Sequence, residues 1–330
     1  MVSRLSLKNY IFKRILQTIP ALFATLTITF FLIHSIAGDP ISMIIGEGFE
    51  TDPEFVNRMK VKFGLDQPLY IQYIRYISNF FQGDLGYSIS GPPVLNLVTE
   101  RIGATLLLTG SALTFALLLG TILGIFSAIK PSSLSSIIFS IISVGGYAIP
   151  VFWLGQMLML FFALRLNWLP VSGLKTLRYN YTGIENILDI LKHLILPALA
   201  LGIHQLALIA RLTRSSMLEV LKQDYILTAR SGGLSQLRVL LGHAFRNALL
   251  PVVTITGMQL GFLLSGAVLT ETIFSWPGIG RLMYNSLLSR DYPVIMGVFN
   301  LISISVVVAN LFTDILYAYL DPRIQYEEKI

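Results

Sequence analysis

Polar side chains are few within or at the ends of the apolar stretches, and His34, His204, Gln205, Glu271, Asn310 and Asp314 are the candidates for chemistry there. Carboxylates and imidazoles in series suit a proton relay, but a relay needs a denser chain of acids and histidines. Asn310 and Asp314 lie one turn apart on the same helical face. A serine hydrolase needs a serine in a Gly-x-Ser setting opposite a histidine; the histidine nearest mid-span is His204, and no such serine is placed to face it. With no cysteine, thiolate catalysis, disulfides and cysteine-held metals are excluded. No G-x-x-x-x-G-K-[ST] loop is present to cradle phosphates, nor a single Gly-Lys pair, so the chain should bind no ATP and carry no cofactor of its own. The plain alternative for the six groups is interhelical hydrogen bonding, worth about 0.6 kcal/mol apiece.

The elements that hold these groups are membrane helices. Of 330 residues 54% are hydrophobic and 13% charged, where soluble domains carry about 25% charged residues. Asp, Glu, Lys and Arg are missing from 15–38, 102–129, 131–164, 193–210, 247–270 and 292–313. Each stretch is about as long as the 17 to 25 residues a helix needs to cross the hydrocarbon. The pattern predicts an all-α membrane protein with six transmembrane helices, and it excludes a soluble enzyme and a nucleic-acid binder. The apolar run from Ile15 to Ala37 exceeds a signal-peptide core and lacks a clear cleavage site, which predicts a retained first helix.

Basic residues near helix ends resist translocation, so their distribution sets orientation. With the N-terminus inside, residues 1–14, 130, 211–246 and 321–330 hold 13 of the 24 Lys and Arg, including the 6 in 211–246. The short loops on the other side, 165–193 and 276–297, hold 6. Both termini are therefore expected in the cytoplasm, and the net charge of +6 reflects loop position rather than nucleic acid.

Organisation follows from the same map. Residues 1–102 form a first helix plus an extracytoplasmic segment, and 103–330 form a five-helix core with a cytoplasmic loop at 211–246. Tyr70, Tyr73, Tyr76, Phe80 and Phe81 mark the external segment as folded, with short amphipathic helices expected over 54–63 and 68–81. Gly145, Gly146 and Pro150 interrupt the overlong third span, as a kink in one tilted helix or as a break lining a pathway. Gly257, Gly261 and Ser265, four apart, are a stripe for close helix packing against this chain or another, or for lining a pathway.

Residues 211–246 carry the most information. Placing six basic residues in hydrocarbon would cost about 15 kcal/mol, so this segment lies in water or at the interface. Met217, Leu218, Leu221, Tyr225 and Ile226 recur at helical spacing, predicting a helix that continues to Ala229, Arg230, Ser231, Gly232 and Gly233. There Arg230 complements the C-terminal dipole and a glycine takes the left-handed cap. Small residues beneath such a helix admit another protein closely.

The run DYILTARSGGLSQLRVLLGHAFRNALLPVV, from Asp224, resembles the cytoplasmic signature loop of ABC-importer permeases of the dipeptide/oligopeptide/nickel subgroup. The likeness extends through RILQTIPALF at Arg14, AGDP at Ala37, FGLDQPLYIQY at Phe63, GDLGYS at Gly83, IPVFWLG at Ile149, NWLPVSG at Asn167, HLILPALAL at His193, ETIFSWPGIGRL at Glu271, RDYPV at Arg290 and NLFTDILYAYLDPR at Asn310. One such motif is weak and eleven in order are specific; together they resemble the B-type permease of that subgroup.

The resemblance implies a type I importer permease fold in a bacterial or archaeal cell membrane. It implies a coupling helix that seats in an ATP-binding subunit, carried here by Asp224, Tyr225, Thr228, Ala229, Arg230, Gly233 and Leu234. Gly232 departs from the family pattern, which often has lysine there. Implied partners are a second related permease, two cytoplasmic ATP-binding subunits that hold ATP and Mg, an extracytoplasmic substrate-binding protein and membrane lipid. Gly257, Gly261, Ser265, Glu271, Asn310 and Asp314 are candidates for pathway lining or packing. The expected cargo is a peptide, with oligosaccharide or nickel as alternatives. An intramembrane hydrolase and an ion-coupled carrier are the competing classes, the latter distinguished by transport that persists without ATP.

Overall fold

The computed structural model of the chain describes residues 7–35, 54, 61, 66–179, 181–261 and 267–320. Among these residues the architecture is helical, with one isolated bridge between Tyr87 and Pro93. In chain order the helices are α1 (Leu7–His34), α2 (Leu69–Phe81), α3 (Val94–Ile129), α4 (Leu134–Ala148) and α5 (Val151–Leu158), the last continuing as a π turn over Met159–Arg165. Then come α6 (Ile184–Val220), α7 (Asp224–Ser231) and α8 (Gln236–Arg238). A second π turn, Val239–Phe245, leads from α8 into α9 (Arg246–Gly261). The described residues end with α10 (Val268–Ile273), α11 (Ile279–Leu288) and α12 (Tyr292–Leu320).

Among the described residues five helical spans are long and apolar enough to cross a membrane: Arg14–His34, Val94–Ile129, Ile184–Val220, Gln236–Gly257 and Tyr292–Thr313. The third predicted span differs. Instead of one kinked helix, 131–164 forms two pieces, because Ile149 and Pro150 are both extended, with ψ of 125° and 130°. Pro150 has no N–H to return to the carbonyl one turn earlier, so the helix stops and restarts. The predicted fifth span also moves, its helix beginning at Gln236 rather than 247. Of the two short external helices predicted, 68–81 is α2, while 54–63 falls almost wholly outside the described residues.

α3 and α6 form the central pair, and small residues set their separation. A Cβ at Gly120 would lie 3.0 Å from Ile209 Cγ2, one at Gly124 2.5 Å from Thr213 Cβ, and one at Gly202 2.8 Å from Phe115 Cδ1. Without a hydrophobic drive between helices in lipid, such backbone approach is the main source of packing attraction. α9 joins this pair through Val252, which packs with Ala116 and Ile209. Gly124→Ala should therefore lower stability in detergent by about 1 to 3 kcal/mol through overpacking. Gly110→Ala, with nothing within 4 Å of the added carbon, should leave the thermal midpoint unchanged or raise it.

α12 closes against α9, where a Cβ at Gly257 would meet Thr313 Cγ2 at 2.5 Å. α1 lies against α12, and α2 bridges the two by hydrogen bonds. The Tyr73 and Thr27 hydroxyls are 2.7 Å apart, and the Tyr76 hydroxyl donates to Asn300 Oδ1 at 2.6 Å. Burial pushes the Tyr76 phenol up to about 12, so it remains the donor.

Candidate functional site

The two ends of the bundle are built differently. At the α7 end, the expected single helix from Met217 through Ala229 is divided. α6 stops at Val220, Lys222 and Gln223 close a tight turn by donating to the Glu219 and Val220 carbonyls, and Gln223 opens α7 in an extended conformation. The division lets Met217 and Ile226, on different helices, bury fully in one cluster with Ala128, Val239, Leu240, Ala244 and Ala248. Burying an isoleucine of this kind contributes about 1.5 to 3 kcal/mol. It pins α7 to the ends of α3, α6 and α9.

α7 ends in a Schellman motif. Gly233 is left-handed at φ 79°, its N–H donates to the Arg230 carbonyl at 3.0 Å, and the Leu234 N–H reaches the Ala229 carbonyl at 3.4 Å. Ala229 and Leu234 pack inward against the buried cluster. Asp224, Tyr225, Thr228, Arg230 and Gly233 are exposed. Asp224 lies in the first turn and Arg230 in the last, each matching the helix dipole. Asn247 Nδ2 donates to the Tyr225 hydroxyl at 2.8 Å, tying α7 to α9, and Thr228 Oγ1 returns to the Asp224 carbonyl at 3.0 Å.

Around Gly233 three leucines point away from the fold: Leu227 is 53% exposed, Leu237 69% and Leu241 50%. Sequence reading named the small residues of this surface but not these leucines. Their signal was there, as apolar side chains amid Arg230, Arg238 and His243. Exposed apolar groups beside glycines that leave open space form a surface suited to close docking.

At the opposite end, distant motifs meet. Glu271 is fully buried. Its carboxylate accepts from Thr105 Oγ1 at 2.9 Å and from the Arg281 N–H at 2.9 Å, while Thr105 Oγ1 accepts from the Ile279 N–H at 2.8 Å. Gly278 and Gly280 make room for it, since a Cβ at either would run into the Glu271 carboxylate. The Trp276 indole, also fully buried, donates to the Ala104 carbonyl at 2.8 Å. These contacts lock residues 271–281 onto α3. Ser88 of the GDLGYS motif donates to Asp291 of the RDYPV motif, and the Asp291 carboxylate also accepts from the Val294 N–H in the first turn of α12. Gly173 of NWLPVSG donates its N–H to the Phe274 carbonyl at 2.8 Å. Thr105 was not singled out from sequence, and Asp291 appeared there only within the RDYPV motif, because their partners are remote along the chain.

The remaining candidates scatter. Glu271 is buried and held by Thr105 and the Arg281 N–H. Gly257 packs against α12 of this same chain. Asn310 is exposed on α12, Asp314 lies one turn on in the same helix, Gly261 ends α9, and Ser265 lies outside the described residues. Among the described residues no group of three or more His, Asp or Glu is placed to hold a metal.

Comparison with known proteins places this geometry. Residues 120–326 match the family model described as binding-protein-dependent transport system inner membrane component, and residues 7–109 match the corresponding N-terminal model. The chain is 43% identical to the di/tripeptide transport system permease protein DppB of Pseudomonas aeruginosa, over 97% of this chain and 99% of that one. It is 40% identical to the dipeptide transport system permease protein DppB of Escherichia coli, with the same coverage of both chains. The glutathione transport system permease protein GsiC of Escherichia coli is 40% identical, again over 97% and 99%. Among solved structures, the MetNI methionine ABC transporter in inward facing conformations aligns with a TM-score of 0.53 at 16% identity, covering 68% of this chain and 96% of the other.

Proposed function

The chain belongs to the family of binding-protein-dependent transport system inner membrane components, and from that premise we propose that its cargo is a short peptide and that α7 is the element that transmits ATP-driven motion. It is a non-catalytic, multi-pass inner-membrane permease subunit of an ABC importer. ATP hydrolysis belongs to separate subunits, and an external binding protein supplies substrate. The peptide assignment is carried by near end-to-end identity with relatives named for di/tripeptide, dipeptide and glutathione transport.

The coupling assignment is carried by the α7 surface. Ile226 anchors it, Gly233 caps it, and Leu227, Leu237 and Leu241 present apolar area outward. In this reading the α7 end faces the cytoplasm and seats in a groove of an ATPase subunit, where ATP and Mg are held. Asp224, Tyr225, Thr228, Ala229, Arg230, Gly233 and Leu234 form or support the contact. Rigid attachment through Ile226 and Met217 passes motion to α3, α6 and α9, the alternating access of a two-state transporter. Few polar residues line this chain, so a hydrophilic pathway calls for a second permease across the interface.

The expected assembly is this chain, one related permease, two ATPase subunits and an external binding protein. Coexpression followed by native mass measurement tests it, and two copies of this chain without a second permease would refute the heterodimer. Ligand released from the purified binding protein tests the cargo. A short peptide is expected; oligosaccharide or nickel would overturn the peptide assignment.

A further inference from the structure

The break between α4 and α5 lies beside a polar cluster on α6. The Tyr147 ring, 45% exposed one turn before the break, stacks on the His204 imidazole with centroids 4.6 Å apart and planes 18° apart. The Arg211 guanidinium carbon lies 5.6 Å from the centre of the same Tyr147 ring. His204 and Arg211 are two turns apart on one face of α6. His204 Nδ1 and the Oε1 of the next residue, Gln205, are buried and find no hydrogen-bond partner among the described residues. On the neighbouring side Gly145 is exposed, with nothing within 4 Å of where a side chain would begin.

This arrangement lies toward the α7 end of the bundle. Gly124 of α3 touches Thr213 and Ala128 packs on Met217, so Arg211 sits level with the last turns of α3, and α6 runs on to Val220 below it. Arg211 is exposed and makes no hydrogen bond or ion pair among the described residues. Arg211 closes the charge-free stretch of α6, and a guanidinium at that level needs water or a counter-charge beside it. A non-helical stretch at membrane depth is tolerated where it lines a water-filled cavity or is buried in protein. Broken helix, exposed arginine and open glycine together satisfy both conditions if this face borders water.

We infer that Tyr147 and Arg211, stacked on His204 beside the α4–α5 break, form a station for the carboxylate of the cargo within the translocation pathway. Guanidinium donors matched to a carboxylate fork are the chemistry that would recognise it. Held over an aromatic ring, the guanidinium keeps its donor edge free and loses little freedom on binding. Tyr147 and His204 are positioning residues, setting the height and tilt of the guanidinium. The assignment rests on the peptide reading above, since a free peptide carries this carboxylate.

The chain contains no cysteine, so one introduced thiol is the sole reporter within this subunit, read on its own band after labelling. Gly145→Cys in the reconstituted complex should react with water-borne thiosulfonate reagents. The sulfonate-bearing reagent should react about 3- to 10-fold faster than the ammonium-bearing one, because a nearby cation concentrates anions. Arg211→Gln should erase that preference, and saturating alanyl-alanine should slow the reaction. Leu118→Cys, on the side of α3 turned away from α6, should resist both reagents. Reaction at Gly145→Cys only with a membrane-permeant reagent would place Arg211 against lipid phosphate and overturn the station, as would an anion preference that survives Arg211→Gln. Uptake of alanyl-alanine by the unsubstituted complex is measured alongside. No uptake would defeat the peptide reading, whereas uptake without protection of Gly145→Cys would defeat the station alone.

Discussion

Gly233→Asp should abolish binding-protein-stimulated uptake while leaving the permease folded in the membrane. Two properties of this position lead to that outcome. Its φ of 79° is one that L side chains adopt at a cost of about 1 to 2 kcal/mol, and nothing in the chain lies within 4 Å of an added Cβ. Any new side chain therefore projects outward, into the space where a partner must come close. Loss of a central docking contact typically costs about 2 kcal/mol or more, so uptake should fall by about 30-fold or more. Gly233→Asn separates backbone from docking, because asparagine tolerates the left-handed conformation. It should keep the thermal midpoint of the wild type yet still lose most uptake. Normal uptake by both variants with the ATPase subunits bound would mean that α7 is not the coupling element.

Glu271→Ala should destabilise the permease by about 3 kcal/mol, because it leaves the Thr105 hydroxyl and the Arg281 N–H buried without an acceptor and opens a cavity beneath Gly278 and Gly280. Thr105→Val should cost less, about 1 to 2 kcal/mol, since it removes one donor to Glu271 and one acceptor for Ile279. The two share one network, so the double variant should lose less than the sum. Thermal unfolding of the detergent-solubilised complex measures all three. Additive losses would show that Thr105 and Glu271 do not act together, and a wild-type midpoint for Glu271→Ala would remove the lock altogether.

Some of this was legible in the sequence for stated reasons. Charge-free stretches marked the spans because hydrocarbon penalises charge, and Gly232-Gly233 after an amphipathic run marked the left-handed cap. Pro150 marked the interruption of the third span, although the structure makes it a break rather than a kink. The turn between Val220 and Asp224 was hidden, because Lys222 and Gln223 are ordinary helix formers and only the joint burial of Met217 and Ile226 requires it. Gly120 and Gly124 form a small-x-x-x-small pair visible in the sequence, but their meaning depends on Ile209 and Thr213 almost ninety residues on. Glu271 was visible as an acid at a span end, whereas its partner Thr105 lies 166 residues away. Long-range pairings of this kind leave no local periodicity to read.

The most direct test of the whole account is uptake into proteoliposomes that contain this chain with its partner permease and ATPase subunits, with binding protein supplied outside and ATP enclosed. Short-peptide accumulation is expected only when both ATP and the binding protein are present, with ATP hydrolysis stimulated by loaded binding protein. Accumulation by this chain without ATP, driven by an ion gradient, would contradict it.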